Sequence, residues 1–248
     1  MNKEEILERA STYAALNMKN YYVKQLTSRD EAVRLHALQR TLILDLEFLV
    51  PLIERRLKEN RTGSMEEYLL MLKVAAKYNR NLFLAHMYKP RLTFYDNEYH
   101  LLLSNIEDSY CDYFKDHFEE LPIQLKLAFL ETLCLKENLH ATYLTFFEGL
   151  LVSECNEIRL RALRAVSSFG EISHLKHYEN FVHSSHWEER LLVAEILRFV
   201  TEEESYLYLE KLLQDSNSNV RKQAALSLMD VPNGKAILQG IIDSGSVL

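Results

Sequence analysis

Four histidines, His174, His177, His183 and His186, fall within thirteen residues of one another. Imidazole nitrogens bind zinc and copper, so this density is the chain's best claim to metal chemistry. Neither a cysteine nor a carboxylate accompanies them at ligand spacing. The expectation is therefore surface or packing histidines on a helical hairpin, with no metal. The three cysteines, Cys111, Cys134 and Cys155, are far apart and odd in number. They form no C-x-x-C pair, which argues against a zinc knuckle or a disulfide framework. Free thiols suit a reducing cytoplasm. The six glycines are not clustered, which argues against a phosphate-cradling loop. Neither G-x-S-x-G nor H-E-x-x-H occurs. No catalytic residue and no cofactor are expected, and the chain is read as a non-enzyme.

A second stretch carries binding chemistry rather than catalysis. Tyr88, Phe94, Tyr95, Tyr99, Tyr110, Tyr113, Phe114 and Phe118 form the densest aromatic run. Exposed tyrosines make good binding anchors. Many of the spacings are helical, however, and the preferred reading is bulky rings filling a core.

Composition narrows the class. The chain has 248 residues, 48% hydrophobic and 26% charged. Six glycines and four prolines are too few for the turns of a β-rich protein of this length and favour helices joined by short polar turns. Lys and Arg number 29 against 36 Asp and Glu, a net charge of -7. Nucleic-acid affinity rests on basic residues neutralising phosphates, and this balance weighs against it. The N-terminal MNKEEILERA lacks the apolar core of a signal peptide. No apolar stretch approaches the ~18 residues that span a bilayer. The expected location is the cytoplasm, or the cytoplasmic face of a membrane if an anchor lies outside this sequence.

The elements behind these residues show as an internal repeat. IRLRALRAV (Ile158 to Val166), ERLLVAEIL (Glu189 to Leu197) and VRKQAALSL (Val220 to Leu228) follow one another at intervals of 31 residues. Arg159, Arg190 and Arg221 coincide in register. VRLHALQRT (Val33 to Thr41) is a fourth copy. EYLLMLKVA from Glu67, EYHLLLSNI from Glu98 and LKLAFLETL from Leu125 are weaker ones. In the last unit, YLYLEKLL (Tyr206 to Leu213) reads as a first helix and QDSNSN (Gln214 to Asn219) as a turn. VRKQAALSLMDV then reads as a second helix, with Val220, Ala224, Leu228 and Val231 on one face. Such a pair cannot bury its apolar face alone, so neighbours must stack. A period kept along the chain argues for one array over residues 1–248. Ser28-x-x-Glu31, Ser64-x-x-Glu67, Ser185-x-x-Glu188 and Thr201-x-x-Glu204 read as capping boxes at helix starts. The run Glu202-Glu203-Glu204 places negative charge on a helix's positive end.

These features resemble the HEAT-repeat family, in its short form labelled HEAT-like or phycobilisome-lyase-type repeats. DSNSNVR (Asp215 to Arg221) has the family's turn aspartate and the Val-Arg that opens the second helix. FLVPLIERRL (Phe48 to Leu57) carries Pro51 inside a first helix, where the family has a proline that bends it. The resemblance is strongest over residues 150–232 and weak over 61–135, where the Val-Arg is missing. It implies an all-α fold: a right-handed α-solenoid of about seven helix pairs, with Arg159 bonding its turn.

It also implies that second helices line a concave surface. Arg161 would share a row there with His36, Leu192 and Gln223, and Arg164 with Gln39, Glu195 and Leu226. Arg40 and Arg198 lie close to the same rows. Leu191, Leu192 and Trp187 would add apolar contact, and arginine with tryptophan is typical of binding hot spots. The expected function is a protein-interaction scaffold whose groove takes an acidic or amphipathic segment of a partner protein. Two alternatives stay open. One is a nucleic-acid-binding protein or DNA-alkylation-repeat-type glycosylase, which calls for a basic concave face. The other is a bilin lyase-like chromophore-handling protein.

Overall fold

Val220, Ala224, Leu228 and Val231 recur at helical spacing, and in the computed structural model of the chain all four are buried. The structure describes residues 2–59, 63–104, 106–135 and 140–243; Asn105, inside the EYHLLLSNI copy, lies outside them. The fold is an all-α solenoid of helix pairs, and no strand forms among the described residues. Contacts gather into two compact units, residues 1–128 and 129–248.

In the first unit, α1 (Lys3–Asn17) precedes the pair α2 (Lys19–Leu26) and α3 (Glu31–Leu44). The pair α4 (Val50–Lys58) and α5 (Met65–Tyr78) follows, then α6 (Arg80–Tyr88), α7 (Asp96–Leu103) and α8 (Asp108–Asp116). α9 (Ile123–Cys134) crosses the boundary between the units. The second unit holds three pairs: α10 (His140–Gly149) with α11 (Asn156–Phe169), α12 (Glu179–Val182) with α13 (Trp187–Ile196), and α14 (Glu203–Leu212) with α15 (Ser218–Asp230). α16 (Gly234–Asp243) ends it. Second helices pack on second helices: α3 on α5 in one unit, and α11 on α13 on α15 in the other.

The second-helix cores follow from small and aliphatic residues at i, i+4 and i+7. Ala162, Leu163, Ala165 and Val166 are fully buried on α11, and Val193, Ala194, Ile196 and Leu197 on the α13 segment. Each large aliphatic side chain removed from water contributes roughly 1.5–3 kcal/mol. Over residues 83–118 the small residues give way to rings: Phe83, Phe94, Tyr99, Tyr110, Phe114 and Phe118 are all buried. The aromatic run is therefore mostly core, with Tyr95 standing out as 70% exposed.

Several local expectations are corrected. Pro51 does not bend a helix interior; it occupies the first turn of α4, where its missing N–H costs nothing. Asp30, not Ser28, caps α3, accepting from Ala32 N at 2.9 Å. His186 and Glu202 occupy the cap positions of α13 and α14, displacing Ser185 and Thr201. Ser64 does cap α5, accepting from Glu67 N at 3.2 Å, but the Glu67 carboxylate turns away to arginines. His177 ends a 3₁₀ turn (Leu175–His177) and His174 occupies its cap position, in place of one longer helix. The last turn forms as expected: Asp215 Oδ1 accepts from Asn217 N at 2.8 Å and Asn217 Oδ1 from Asn219 N at 2.9 Å.

Candidate functional site

The recurring arginine is the fourth residue of its second helix, and from there the guanidinium folds back over the preceding turn. Nη1 of Arg159 donates to Ser153 O at 2.8 Å and Glu154 O at 3.0 Å. Arg34 bonds Ser28 O and Arg29 O, both at 3.0 Å, Arg190 bonds Ser184 O at 2.6 Å, and Arg221 bonds Asp215 O and Ser216 O at 2.8 and 3.1 Å. Turn carbonyls lack helical partners, and a rigid fork of donors satisfies two at once. The other edge of the fork reaches the next pair. Arg34 Nε and Nη2 donate to the two oxygens of Glu67, each at 2.8 Å. Arg159 Nε donates to Glu189 Oε1 at 2.8 Å, and Arg190 Nε and Nη2 to Asp215 at 2.5 and 2.9 Å.

The carboxylate in this ladder occupies one of two sites. Glu67 and Glu189 are third residues of second helices; Asp215 lies in the turn. In register with Asp215 stands Ser184, which donates to Glu189, and in register with Glu189 stands Val220. Burial alone would push the fully buried Glu67 carboxyl up, but bonds from Arg34 and Arg56 hold it below the usual carboxylate range. The Arg190 bond does the same for Asp215.

One pair breaks the pattern. Its first helix, α12, has four residues, against eight to ten in the first helices α2, α4, α6, α8, α10 and α14. Beside it opens a cavity of about 1150 Å³. Glu148 and Gly149 at the end of α10 form one wall, His174, Lys176 and His177 another. Ser184 and His186 at the start of α13, with Arg159, close the third side. Glu148 Oε1 accepts from Ser173 N at 2.8 Å and from Tyr178 Oη at 2.9 Å. Burial raises the Glu148 carboxyl, yet these bonds and the nearby His177 bring it below its ordinary range. Burial and the Glu148 carboxylate together push the Tyr178 hydroxyl well up. The rings of His174 and His177 meet edge to face, 5.5 Å apart. His183 instead neighbours Lys211, whose Nζ lies 2.9 Å from Nδ1. No three His, Cys, Asp or Glu side chains converge as metal ligands among the described residues.

The residues expected to line a groove fall in both units. His36 and Arg40 lie exposed on α3, with Arg40 Nε donating to His36 Nε2 at 3.3 Å. In the second unit Arg164 is exposed, while Arg161 is half-buried and bonds Glu157 Oε2 at 2.6 Å. Arg198 lies 3.9 Å from Glu195, and its guanidinium stacks 4.5 Å from the centre of the Phe199 ring. Trp187, the first residue of α13, is 38% exposed, and Leu191 is half-buried. Leu192 is a correction: it is 7% exposed, because its position on α13 faces the core, and it offers no contact surface. Phe199, Leu226 and Met229 are further exposed apolar side chains on the α13 and α15 segments. Leu226 belongs to the Arg164 row, and Met229, three residues on along α15, shares its exposed face. Cys134 lies near Arg161 and Arg164; burial pushes its thiol up to about 11, against the pull of Arg164.

No family model matches the chain, and no curated protein does. Seven solved chains match in fold. One is a designed armadillo repeat protein, YIII(Dq.V1)4CPAF, solved in complex with peptide (KR)4. It is 16% identical, with 85% of this chain and 98% of that chain covered and a TM-score of 0.39. Another is an engineered protein that is 15% identical, with 96% of this chain and 84% of that one covered and a TM-score of 0.43.

Proposed function

We propose that the chain is a protein-interaction scaffold, not a catalyst, and that its second unit takes an amphipathic segment of a partner across the outer face of α11, α13 and α15. The observation that carries the reading is the exposure of Phe199, Leu226 and Met229, at 38%, 43% and 47%, on a face that also presents Arg164 and Arg198. Apolar side chains interleaved with arginine supply both desolvation energy and directional, charge-assisted bonds. Glu157, Glu188 and Glu195 share the face, so its charge is mixed. That mixture suits a segment carrying both apolar and charged residues better than a nucleic-acid backbone, which calls for a basic stripe.

The test is a tagged pull-down from native extract, with wild type beside Leu226→Glu/Met229→Glu and Arg164→Glu, and circular dichroism on all three. A partner retained by wild type and lost by the folded variants supports the reading. A partner held equally by all three would move the binding surface off this face. His36→Ala/Arg40→Ala, in the first unit, asks whether that unit contributes.

A further inference from the structure

The truncated first helix leaves a cleft rich in hydrogen-bond donors. Its two carboxylates are already engaged. Glu148 is held by Ser173 N and Tyr178 Oη, and Glu189 by Arg159 and Ser184. Facing the space are Lys176 and the imidazoles of His174, His177 and His186. Lys176 forms no ion pair among the described residues. The hydroxyls of Ser153 and Ser185 add further donors along the wall, while that of Ser173 is engaged with Glu148. A cleft whose two carboxylates are engaged and whose lysine faces it without an ion pair is complementary to a ligand with many acceptor oxygens and negative charge.

A second observation concerns Gly149. Its φ of -61° is ordinary helix, so the backbone does not require glycine there. A Cβ at this position would meet nothing within 4 Å. A solenoid gains stability by filling space between neighbouring pairs, and beside the short α12 that space stays open, with exposed Gly149 at its edge. Departures from local regularity of this kind mark functional sites.

We propose that this cleft binds a phosphate group, as the free ion or as a phosphomonoester, with Lys176 as its charged donor and the imidazoles of His177, His174 and His186 completing the shell. The site is separate from the outer face of α11, α13 and α15. Three phosphate oxygens carrying close to two negative charges match this many donors better than one carboxylate does.

The test is isothermal titration of the purified full chain in low-salt buffer, with inorganic phosphate in one arm and O-phosphoserine in the other. Each is run on wild type, Gly149→Phe and Lys176→Gln/His177→Gln. Phenylalanine at 149 suits the backbone and adds bulk at the cleft wall without removing a donor. The expected result is saturable one-to-one binding by wild type and loss of it in Gly149→Phe at an unchanged circular dichroism spectrum. The double variant should weaken binding by roughly tenfold or more, as charge-assisted bonds are removed. Tighter binding of O-phosphoserine assigns the site to a phosphorylated residue, and tighter binding of inorganic phosphate to the free ion; either supports the proposal. No saturable binding of either probe to wild type at millimolar concentration overturns it, as does wild-type affinity in folded Gly149→Phe. Should Gly149→Phe fail to fold, unchanged affinity in the double variant overturns it instead.

Discussion

The two units close the junction between neighbouring pairs with different chemistry at the same helical position. In the second unit the fourth residue of each second helix is an arginine: Arg159, Arg190 and Arg221. The first unit begins the same way with Arg34, but at α5 the position is Tyr68. Its ring is fully buried, its hydroxyl lies 2.7 Å from His86 Nδ1, and it accepts from Arg91 N at 3.1 Å. Phe94 packs on the Tyr68 ring with centroids 5.5 Å apart, and Tyr99 on Phe94 at 5.2 Å. What the repeat needs at this position is a group that satisfies a stray backbone polar atom and grips the next segment. A guanidinium does so by charge and a fork of donors. A tyrosine does so by one hydroxyl and a ring, which adds packing energy and gives up directionality.

The comparison can be broken at its strongest point first. Glu67→Ala removes the carboxylate shared by Arg34 and Arg56, whose side chains are 11% and 16% exposed. Leaving two guanidiniums buried without their anion should cost about 3–5 kcal/mol in urea unfolding. A loss below about 1 kcal/mol would show that the ladder is incidental to stability. Arg190→Ala strands a single carboxylate, Asp215, and should cost somewhat less, roughly 2–4 kcal/mol. On the aromatic side, Tyr68→Phe keeps the ring and deletes the hydroxyl that serves both His86 and Arg91 N. The expected loss is about 1–3 kcal/mol, read from the same unfolding curves.

Acid sharpens the contrast, because the two junctions fail in different windows. Burial, with the Arg91 charge, lowers the pKa of His86 in the folded chain. As pH falls below the unfolded value of about 6.5, the unfolded chain takes up a proton that the folded chain refuses, and stability declines. The pKa values of Glu67 and Asp215 are lowered too, so their contribution is full above the unfolded carboxylate range, about 4, and is lost only below it. Unfolding midpoints between neutral pH and pH ~5 should therefore fall in wild type, and His86→Gln should flatten that slope by about 1 kcal/mol. An equally steep slope in the variant would assign the titration elsewhere. The smallest effect belongs to Arg221, which is exposed and bonds only turn carbonyls. Arg221→Ala should cost under about 1 kcal/mol.

How far the sequence reaches follows the same division. Where a residue recurs at a fixed interval, its role was readable: the arginine register, the Asp-Asn turn and the buried face of α15 are all as their spacing requires. Partners were harder. Glu189 and Asp215 lie 30 and 25 residues from their arginines, and no single interval links them. Caps were misplaced where two acceptors compete within three residues, as Ser28 and Asp30 do before α3. Register with Arg161 points Leu192 to the surface, although half-buried Arg161 itself sits at the edge of the core face. The cleft was invisible for a simpler reason. Periodicity reports what each unit repeats, whereas this cavity comes from what one unit lacks: most of a helix.

The two addresses of the ladder's carboxylate have a consequence for how such chains grow. An arginine at the fourth position accepts an anion either from the next helix, as with Glu189, or from the next turn, as with Asp215. Each junction is thus a plug with two compatible sockets. Excising the 31-residue module that carries Arg190 would leave Arg159 facing the turn carboxylate of Asp215 in place of Glu189. Length can change by whole modules without a matched pair of mutations, a tolerance that a junction like that of Tyr68 and His86, fitted ring to ring, does not share.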